Sequence, residues 1–353
     1  MKILVEKTKE PKRKPSSEGL SFGTVFSDHM FLCEYSPEKG WHNARITPYR
    51  DLSIPPSNMT IHYGQSIFEG LKAYKTADNK INLFRPAENI KRLNASCRRM
   101  CIPEIDEKFG VEAIKALVDV DRDWVPEEYG TSLYIRPFIF ATDPYLGVRP
   151  SETYLFVIIT GPVGAYYKEG INPVKIYVET RYVRAVVGGL GEAKASANYA
   201  ASLKAQVEAK EKGYTQVLWL DGIEKKYVEE VGTMNVFFVI GDEIVTPALT
   251  GSILPGITRK SVIELLKSWG YKVSERRITI DEVFEAHEEG MLKEVFGTGT
   301  AAVISPVGEL NRDGQIITIN NGEIGPVSKQ LYDTITGIQY GRIPDKFGWI
   351  EQI

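Results

Sequence analysis

Cysteine and histidine are both scarce in this 353-residue chain. The three cysteines, Cys33, Cys97 and Cys101, form no Cys-x-x-Cys pair and leave one unmatched in any scheme, which excludes a disulfide framework. Cys97 and Cys101 lie four apart on an expected helix and read as small core residues of a reducing compartment. The four histidines are scattered and form no His-Glu-x-x-His, so no metal site is expected. No run approaches the roughly 18 apolar residues of a membrane span. A formal net charge of −3 leaves no footprint for nucleic acid or an anionic membrane. The opening MKILVEKTKEPKRKPSSEG is basic but lacks the apolar stretch of a secretory signal. With Glu6, Glu10 and a single arginine, it also does not fit a transit peptide. Repeats and low-complexity tracts are missing too. A cytoplasmic globular protein is what these absences leave.

At 43% hydrophobic and 25% charged residues, the chain can fill two ordinary domains. Strands are expected in SFGTVFSDHMFLCEY, TSLYIRPFIFAT and ETYLFVIITGPVG. The helix opening at Pro86 should bury Ile90, Leu93, Cys97, Met100 and Cys101, and a second helix spans 107–118. Composition shifts over residues 165–173, AYYKEGINP, which reads as a linker between a small domain, 1–164, and a larger one, 174–353. Beyond it, VKIYVETRYVRA reads as a strand and ANYAASLKAQVEAKEKG as a helix closed by Gly213. Hairpins turn at Asp221-Gly222 and Gly241-Asp242, and a helix spans 258–269 with Val262, Ile263, Leu266 and Trp269 on one face.

The chemistry-bearing residues begin in GGLGEAKASANYAAS, residues 188–202. Lys194 stands among small side chains, with Leu190 and Tyr199 the only bulky apolar ones. A lysine that forms a Schiff base with an aldehyde cofactor needs such room and a lowered pKa; a solvated loop lysine is the alternative. Gly256-Ile257-Thr258 opens a helix whose unpaired N–H groups favour an anion, or else Thr258 is simply an N-cap. Gly297-Thr298-Gly299-Thr300 interrupts two strand-like stretches and suits a nest of backbone amides. GTGTAA also matches a dinucleotide fingerprint, but AAVISPV is β-branched, contains Pro306 and cannot open the required helix. Glu229 and Glu230 are strand neighbours pointing to opposite faces, so only one can face a site. A buried Glu230 would need a cation, and the protonated ring nitrogen of a pyridoxal cofactor is such a partner. Tyr134 and Arg136 share a strand face; the arginine suits a carboxylate, or else lies on an exposed edge.

With these residues in place, the chain resembles the branched-chain amino acid aminotransferases, within the class-IV, D-alanine aminotransferase-like pyridoxal-phosphate enzymes. The likeness runs from about Ser21 to about Trp349 and rests on FSDHM, HYGQSIFEGLKAY, SLYIRPF, GPVGAYY, GGLGEAKASANYA, QVLWLDG, EEVGTMN, GSILPGITR and FGTGTAAVISPVGE. The resemblance implies a fold-type IV enzyme of mixed α/β sheets in two domains, with the cofactor between them. It implies that Lys194 is the Schiff-base lysine, that Tyr199 bonds the phenolic oxygen, and that Glu230 bonds the ring nitrogen. Arg99, the amides of Ile257 and Thr258, and Thr300 would hold the phosphate. Periodicity argues for Arg98 instead of Arg99, which lies far from the apolar face. The substrate carboxylate would meet Tyr63, the amides around Thr300-Ala301, and Thr233. Phe26, Phe68, Tyr134 and Tyr166 would wall an aliphatic pocket, and Arg136 would take the distal carboxylate of glutamate. Leu146 and Val148 match a loop that in the family enters the partner's site, which implies a homodimer. The Cys-x-x-Cys of some relatives is replaced here by Ala302 and Ser305. The implied reaction exchanges the amino group of leucine, isoleucine or valine with 2-oxoglutarate. A D-amino acid aminotransferase or an aminodeoxychorismate lyase of the same fold is the alternative.

Overall fold

A computed structural model describes residues 1–16, 20–164 and 171–353. Tyr166 and most of the expected linker therefore lie outside the described residues. The chain separates into two compact units. The first comprises Met1–Lys168, Ala193–Ala197 and Gly337–Ile353; the second comprises Glu169–Glu192 and Asn198–Thr336. Two pieces that follow residue 174 in sequence, one of them carrying Lys194, thus pack with the first unit.

The first unit is built on one sheet. Its strands run Leu4–Val5, Gly40–Pro48, His29–Ser36, Tyr154–Val163, Ser132–Ala141, Leu71–Lys75, Ile81–Phe84 and Ile350–Gln352, with Ser66–Phe68 also pairing to Ser132–Ala141. Strict alternation along Ser132–Ala141 sends Leu133, Ile135 and Ile139 into a core shared with the helices Pro86–Arg99 and Glu107–Val120. Ile90, Leu93 and Cys97 fill that core from the first helix, as the spacing predicts. The opposite face of the sheet carries Tyr134, Arg136 and Phe138.

Two expectations fail here. Cys101 is exposed, because the helix ends at Arg99 and the chain takes a left-handed φ of 55° at Cys101. The strand expected from residue 21 begins only at His29. Just before it, Asp28 accepts hydrogen bonds from the Lys12 N–H (2.8 Å) and Trp124 Nε1 (2.9 Å), side-chain bonding that displaces the ladder.

In the second unit, Val228–Val231, Gln216–Leu220, Val174–Glu179, Val303–Arg312, Leu292–Gly299 and Met234–Ile240 pair in sequence, and the last pairs back to the first. This closes a ring of strands filled by Ile176, Val178, Leu218, Val236, Phe238 and Val295. Ala205 and Ala209 of the helix Ser196–Glu211 pack on Trp219 and Val217 outside it. Both expected hairpins are present. The Asp221 carboxylate accepts the N–H groups of Ile223, Glu224, Lys226 and Tyr227 at one turn, and Gly241 takes a φ of 59° at the other. The strand expected over 174–185 stops at Glu179, whose carboxylate accepts from the Arg181 and Tyr182 N–H groups (2.7 and 2.9 Å) and turns the chain. Gly297-Thr298-Gly299 does not interrupt the strands but ends one of them; the turn is Thr300–Ala302, and Val303 has a φ of 63°.

Candidate active site

Lys194 sits where a short run of backbone is added to the edge strand Ser66–Phe68. Ile67 bridges Ala195, the Phe68 N–H donates to the Lys194 carbonyl (3.0 Å), and Ser66 Oγ donates to Ser196 Oγ (2.8 Å). From the other side, the Lys194 N–H donates to the buried Ser96 Oγ (2.9 Å) of the helix Pro86–Arg99. Main-chain bonding therefore fixes the residue, and its Nζ lies 4.8 Å from the centroid of the Phe68 ring. This is no solvated loop lysine.

Next to Phe68, Glu69 is wholly buried and paired with Arg92 through Nε (2.7 Å) and Nη2 (2.9 Å), with Asn89 Nδ2 at 2.8 Å. Burial pushes its carboxyl up, but the Arg92 charge and hydrogen bonds, aided by the Lys194 charge and Asn89, hold it below the usual carboxylate range. The pair is neutral as a whole, and the Lys194 charge acts on its carboxylate end.

The free face of the sheet carries the residues expected to wall a pocket, Tyr134 and Arg136. Arg136 Nη2 donates to the Tyr134 hydroxyl (3.0 Å), and the guanidinium stands 4.6 Å from the Phe68 centroid. Its Nε is buried and makes no hydrogen bond. Lys72 pairs with Tyr134 and Tyr134 with Gly161, so the three residues form one row. Burial lowers the Lys72 pKa to about 8. At Gly161 a Cβ would run into the Val25 carbonyl oxygen, so glycine lets the chain before His29 lie close to the sheet. That chain brings Phe26 onto Tyr49, stacked at 5.2 Å, and Phe22 edge-on to Tyr134 at 4.8 Å. Tyr63 ends the short helix Met59–Tyr63, and its hydroxyl donates to the Leu146 carbonyl. Leu146 and Val148 are exposed, Val148 by 86%. Arg99 lies one turn beyond Ser96 and is exposed, as its distance from the apolar face predicts; Arg98, the residue favoured by periodicity, is paired with Glu104 (2.6 Å).

The second unit presents a row of cross-strand partners, Glu230, Asn235 and Thr298. Glu230 is buried; its Oε1 accepts the Leu254 N–H (2.9 Å), and its Oε2 pairs with Arg184 Nε (3.2 Å). The cationic partner that burial demands is thus already Arg184, which sequence pattern does not reveal. Asn235 Nδ2 donates to the Leu254 carbonyl (2.9 Å), so one row of side chains grips both sides of that residue. Glu229, its neighbour on the strand, is buried as well. Burial raises its carboxyl above the usual range, against the Ser252 hydrogen bond and the Arg184 charge.

Three residues after Leu254 the helix Ile257–Ser268 begins. Its N-cap is Gly256, not Thr258, and no side chain caps it. A Cβ at Gly256 would meet Asn235 Oδ1, so the helix start sits directly on the row. Thr298 Oγ1, at the other end of the row, is buried without a hydrogen bond. Thr300 and Ala301 lie half-buried in the following turn, Thr233 is exposed in the turn beside Glu230, and Tyr199 is half-buried in the first turn of Ser196–Glu211. An uncapped helix start, an orphaned threonine hydroxyl and a buried carboxylate are groups that fit a phosphorylated heteroaromatic cofactor. No cluster of metal-ligating side chains occurs among the described residues.

The chain matches the family model described as amino-transferase class IV over residues 66–310, and it belongs to that family. It is 61% identical over 351 residues to branched-chain-amino-acid aminotransferase 2 of Bacillus subtilis (strain 168), covering 99% of this chain and 97% of that one. To branched-chain-amino-acid transaminase 1 of the same organism it is 57% identical, covering 99% and 98%. Among solved structures, the T.th. branched-chain amino acid aminotransferase complexed with N-(5'-phosphopyridoxyl)-L-glutamate superimposes with a TM-score of 0.76 at 30% identity, covering 93% of this chain and 99% of that one. The mixed α/β, fold-type IV architecture implied by the resemblance is the one found.

Lys72, Glu69, Arg92, Ser96, Arg184, Glu229, Asn235 and Thr298 were not singled out from sequence for the places they take. Lys72, charged within the otherwise apolar LKAY, the side-by-side Glu229-Glu230, and Thr298 within the Gly-Thr-Gly-Thr run carry a local signal; the others carry none.

Proposed function

We infer that the protein is a pyridoxal-phosphate-dependent branched-chain amino acid aminotransferase. It transfers the amino group of L-leucine, L-isoleucine or L-valine to 2-oxoglutarate, giving branched-chain 2-oxo acids and L-glutamate reversibly. Its full-length likeness to enzymes of that name supports this reading. The observation that carries it is the seat of Lys194, whose backbone is fixed from two sides while its amine stands over Phe68.

Bound pyridoxal phosphate supplies the electron sink for the charge left when the Cα proton departs. Lys194 would anchor it, and its free Nζ would move that proton as general base. Glu230 holds the ring nitrogen and Tyr199 the phenolic oxygen. Arg99, the Ile257 and Thr258 N–H groups and Thr300 hold the phosphate. Tyr63, Thr233 and the Thr300-Ala301 amides receive the substrate carboxylate. Phe26, Phe68, Tyr134 and Tyr166 enclose the side chain, and Arg136 pairs with the distal carboxylate of glutamate. The Arg136–Tyr134 hydrogen bond supports this assignment, because it gives the guanidinium one partner when an aliphatic side chain is bound.

We further propose a cytoplasmic homodimer in which Leu146 and Val148 are covered by the partner. Their exposure supports that reading, and no described helix is long and apolar enough to cross a membrane. The test is a substrate panel with 2-oxoglutarate as acceptor. Turnover of L-leucine but not D-alanine is expected; preference for D-alanine would make the enzyme a D-amino acid aminotransferase. Release of pyruvate from aminodeoxychorismate would make it a lyase. Sedimentation velocity measures the oligomer.

A further inference from the structure

Residues 252–254 are gripped at four points, and one grip has no part in the reaction just described. The Leu254 N–H goes to Glu230 and its carbonyl to Asn235, while the Ser252 carbonyl accepts from Arg184 Nη2. The fourth grip is the Ser252 hydroxyl, which donates to Glu229 Oε1. We propose that Glu229 is a positioning residue that acts through Ser252 to aim the Glu230 carboxylate at the cofactor. The proposal rests on the reading of Glu230 as the ring-nitrogen partner.

The connection runs through peptide planes. Arg184 donates to the Ser252 carbonyl through Nη2 and is ion-paired to Glu230 Oε2 through Nε, without hydrogen-bond geometry, so the guanidinium links the Ser252 peptide to that carboxylate. Two residues on, the Leu254 N–H fixes Glu230 Oε1. One oxygen of Glu230 is therefore hydrogen-bonded by, and the other ion-paired through Arg184 to, a segment whose own orientation depends on the Ser252 side chain. That side chain is wholly buried, and among the described residues its hydroxyl bonds Glu229 alone.

The seat of Ser252 is close-fitting. A Cβ at Gly191 would run into the Ser252 carbonyl oxygen, so the carbonyl lies against the loop that leads three residues later to Lys194. Three residues beyond Leu254 the uncapped helix begins. The same short segment thus touches the approach to the lysine, the ring-nitrogen carboxylate and the phosphate-binding helix start. A buried carboxyl is a costly way to fill space, since an aliphatic side chain fills it without desolvating a polar group. What the Glu229 carboxyl adds is the bond to Ser252, and its Oε2 makes no hydrogen bond.

The test is a double-mutant cycle on the full-length protein, read as the dissociation constant of pyridoxal phosphate. Glu230→Gln alone should weaken binding by about tenfold. Glu229→Ala alone should weaken it several-fold, and Ser252→Ala should do the same. On the Glu230→Gln background, Glu229→Ala should cost almost nothing further, because there is no carboxylate left to aim. Glu229→Gln should restore binding to within about twofold of the original, since its amide oxygen accepts the Ser252 hydroxyl. Losses that multiply in the double variant overturn the proposal, as does unchanged affinity in Ser252→Ala. If Glu229→Ala does not fold, Ser252→Ala completes the same cycle. Unchanged affinity in Glu230→Gln itself would remove the reading of Glu230, and the proposal with it. A Glu230→Gln loss without a Ser252→Ala loss removes the proposal alone.

Discussion

The two units carry their candidate site residues by different means. In the first unit, side chains stand in register on one face of an open sheet, and Tyr134, Arg136, Lys72 and the Gly161 gap follow from strand alternation. In the second, a row of three side chains mostly grips backbone, and the groups presented onward are helix N–H groups, a threonine hydroxyl and a carboxylate already paired. A face of long side chains can discriminate between substrates, because each makes or loses its own contact. A backbone cradle holds one ligand type in one place. Specificity should therefore respond to changes in the first unit, and cofactor retention to changes in the second.

The largest effect expected is that of Lys194→Ala, which should lower leucine–2-oxoglutarate turnover by at least about a thousandfold. Residual turnover near the original rate would move the chemistry to another residue. Arg136→Ala sharpens the contrast. It should raise KM for glutamate and 2-oxoglutarate by about ten- to a hundredfold more than KM for leucine, one charge-assisted contact being lost. Half-reactions with each amino acid measure this, and equal losses would make the sheet face structural, not selective.

Lys72 gives a pH signature to the first unit. Its folded pKa of about 8 lies below the ordinary 10.5, so the unfolded chain binds more protons between those values. The cost of burying its charge is felt in full below pH 8 and relieved as pH rises toward 10.5, by up to about 3 kcal/mol. Urea unfolding across that range should show stability rising with pH, and Lys72→Met should flatten the rise. Gly161→Ala should cost about 1–3 kcal/mol by driving the chain at Val25 off the sheet. Smallest of all, Cys101→Gly should stabilise by at most about 1 kcal/mol, relieving the left-handed φ, and should leave every kinetic constant alone. A kinetic change there would show that the end of the helix Pro86–Arg99 reports to the site.

Much of this arrangement was legible in the chain because period and turn chemistry act locally. The shared face of Tyr134 and Arg136, the buried stripe of the Pro86 helix and both hairpin turns follow from spacing alone. Arg99 was legible in a different way: its exposure is what periodicity gives, whereas its assignment to phosphate comes from family likeness. What stayed hidden depends on partners far along the chain. Arg184 meets Glu230 and Ser252 only after folding, and Ser96 reaches Lys194 across 98 positions. Glu229 was set aside by the alternation rule, which orients a strand's side chains but says nothing of a segment that meets both neighbours.

The first unit also constrains the order in which the protein can be finished. Its sheet begins at Leu4 and is completed at the other margin by Ile350–Gln352, laid antiparallel to Ile81–Phe84. Its added edge, the run at Lys194, comes from the middle of the sequence. During translation the Ile81–Phe84 margin therefore stays uncovered until Ile350–Gln352 has left the ribosome. The first unit is completed only by residues made after the second. The seat of Lys194 and the sheet's outermost strand are both late arrivals, so a stalled or truncated nascent chain would expose the Ile81–Phe84 margin that Ile350–Gln352 covers in the finished protein.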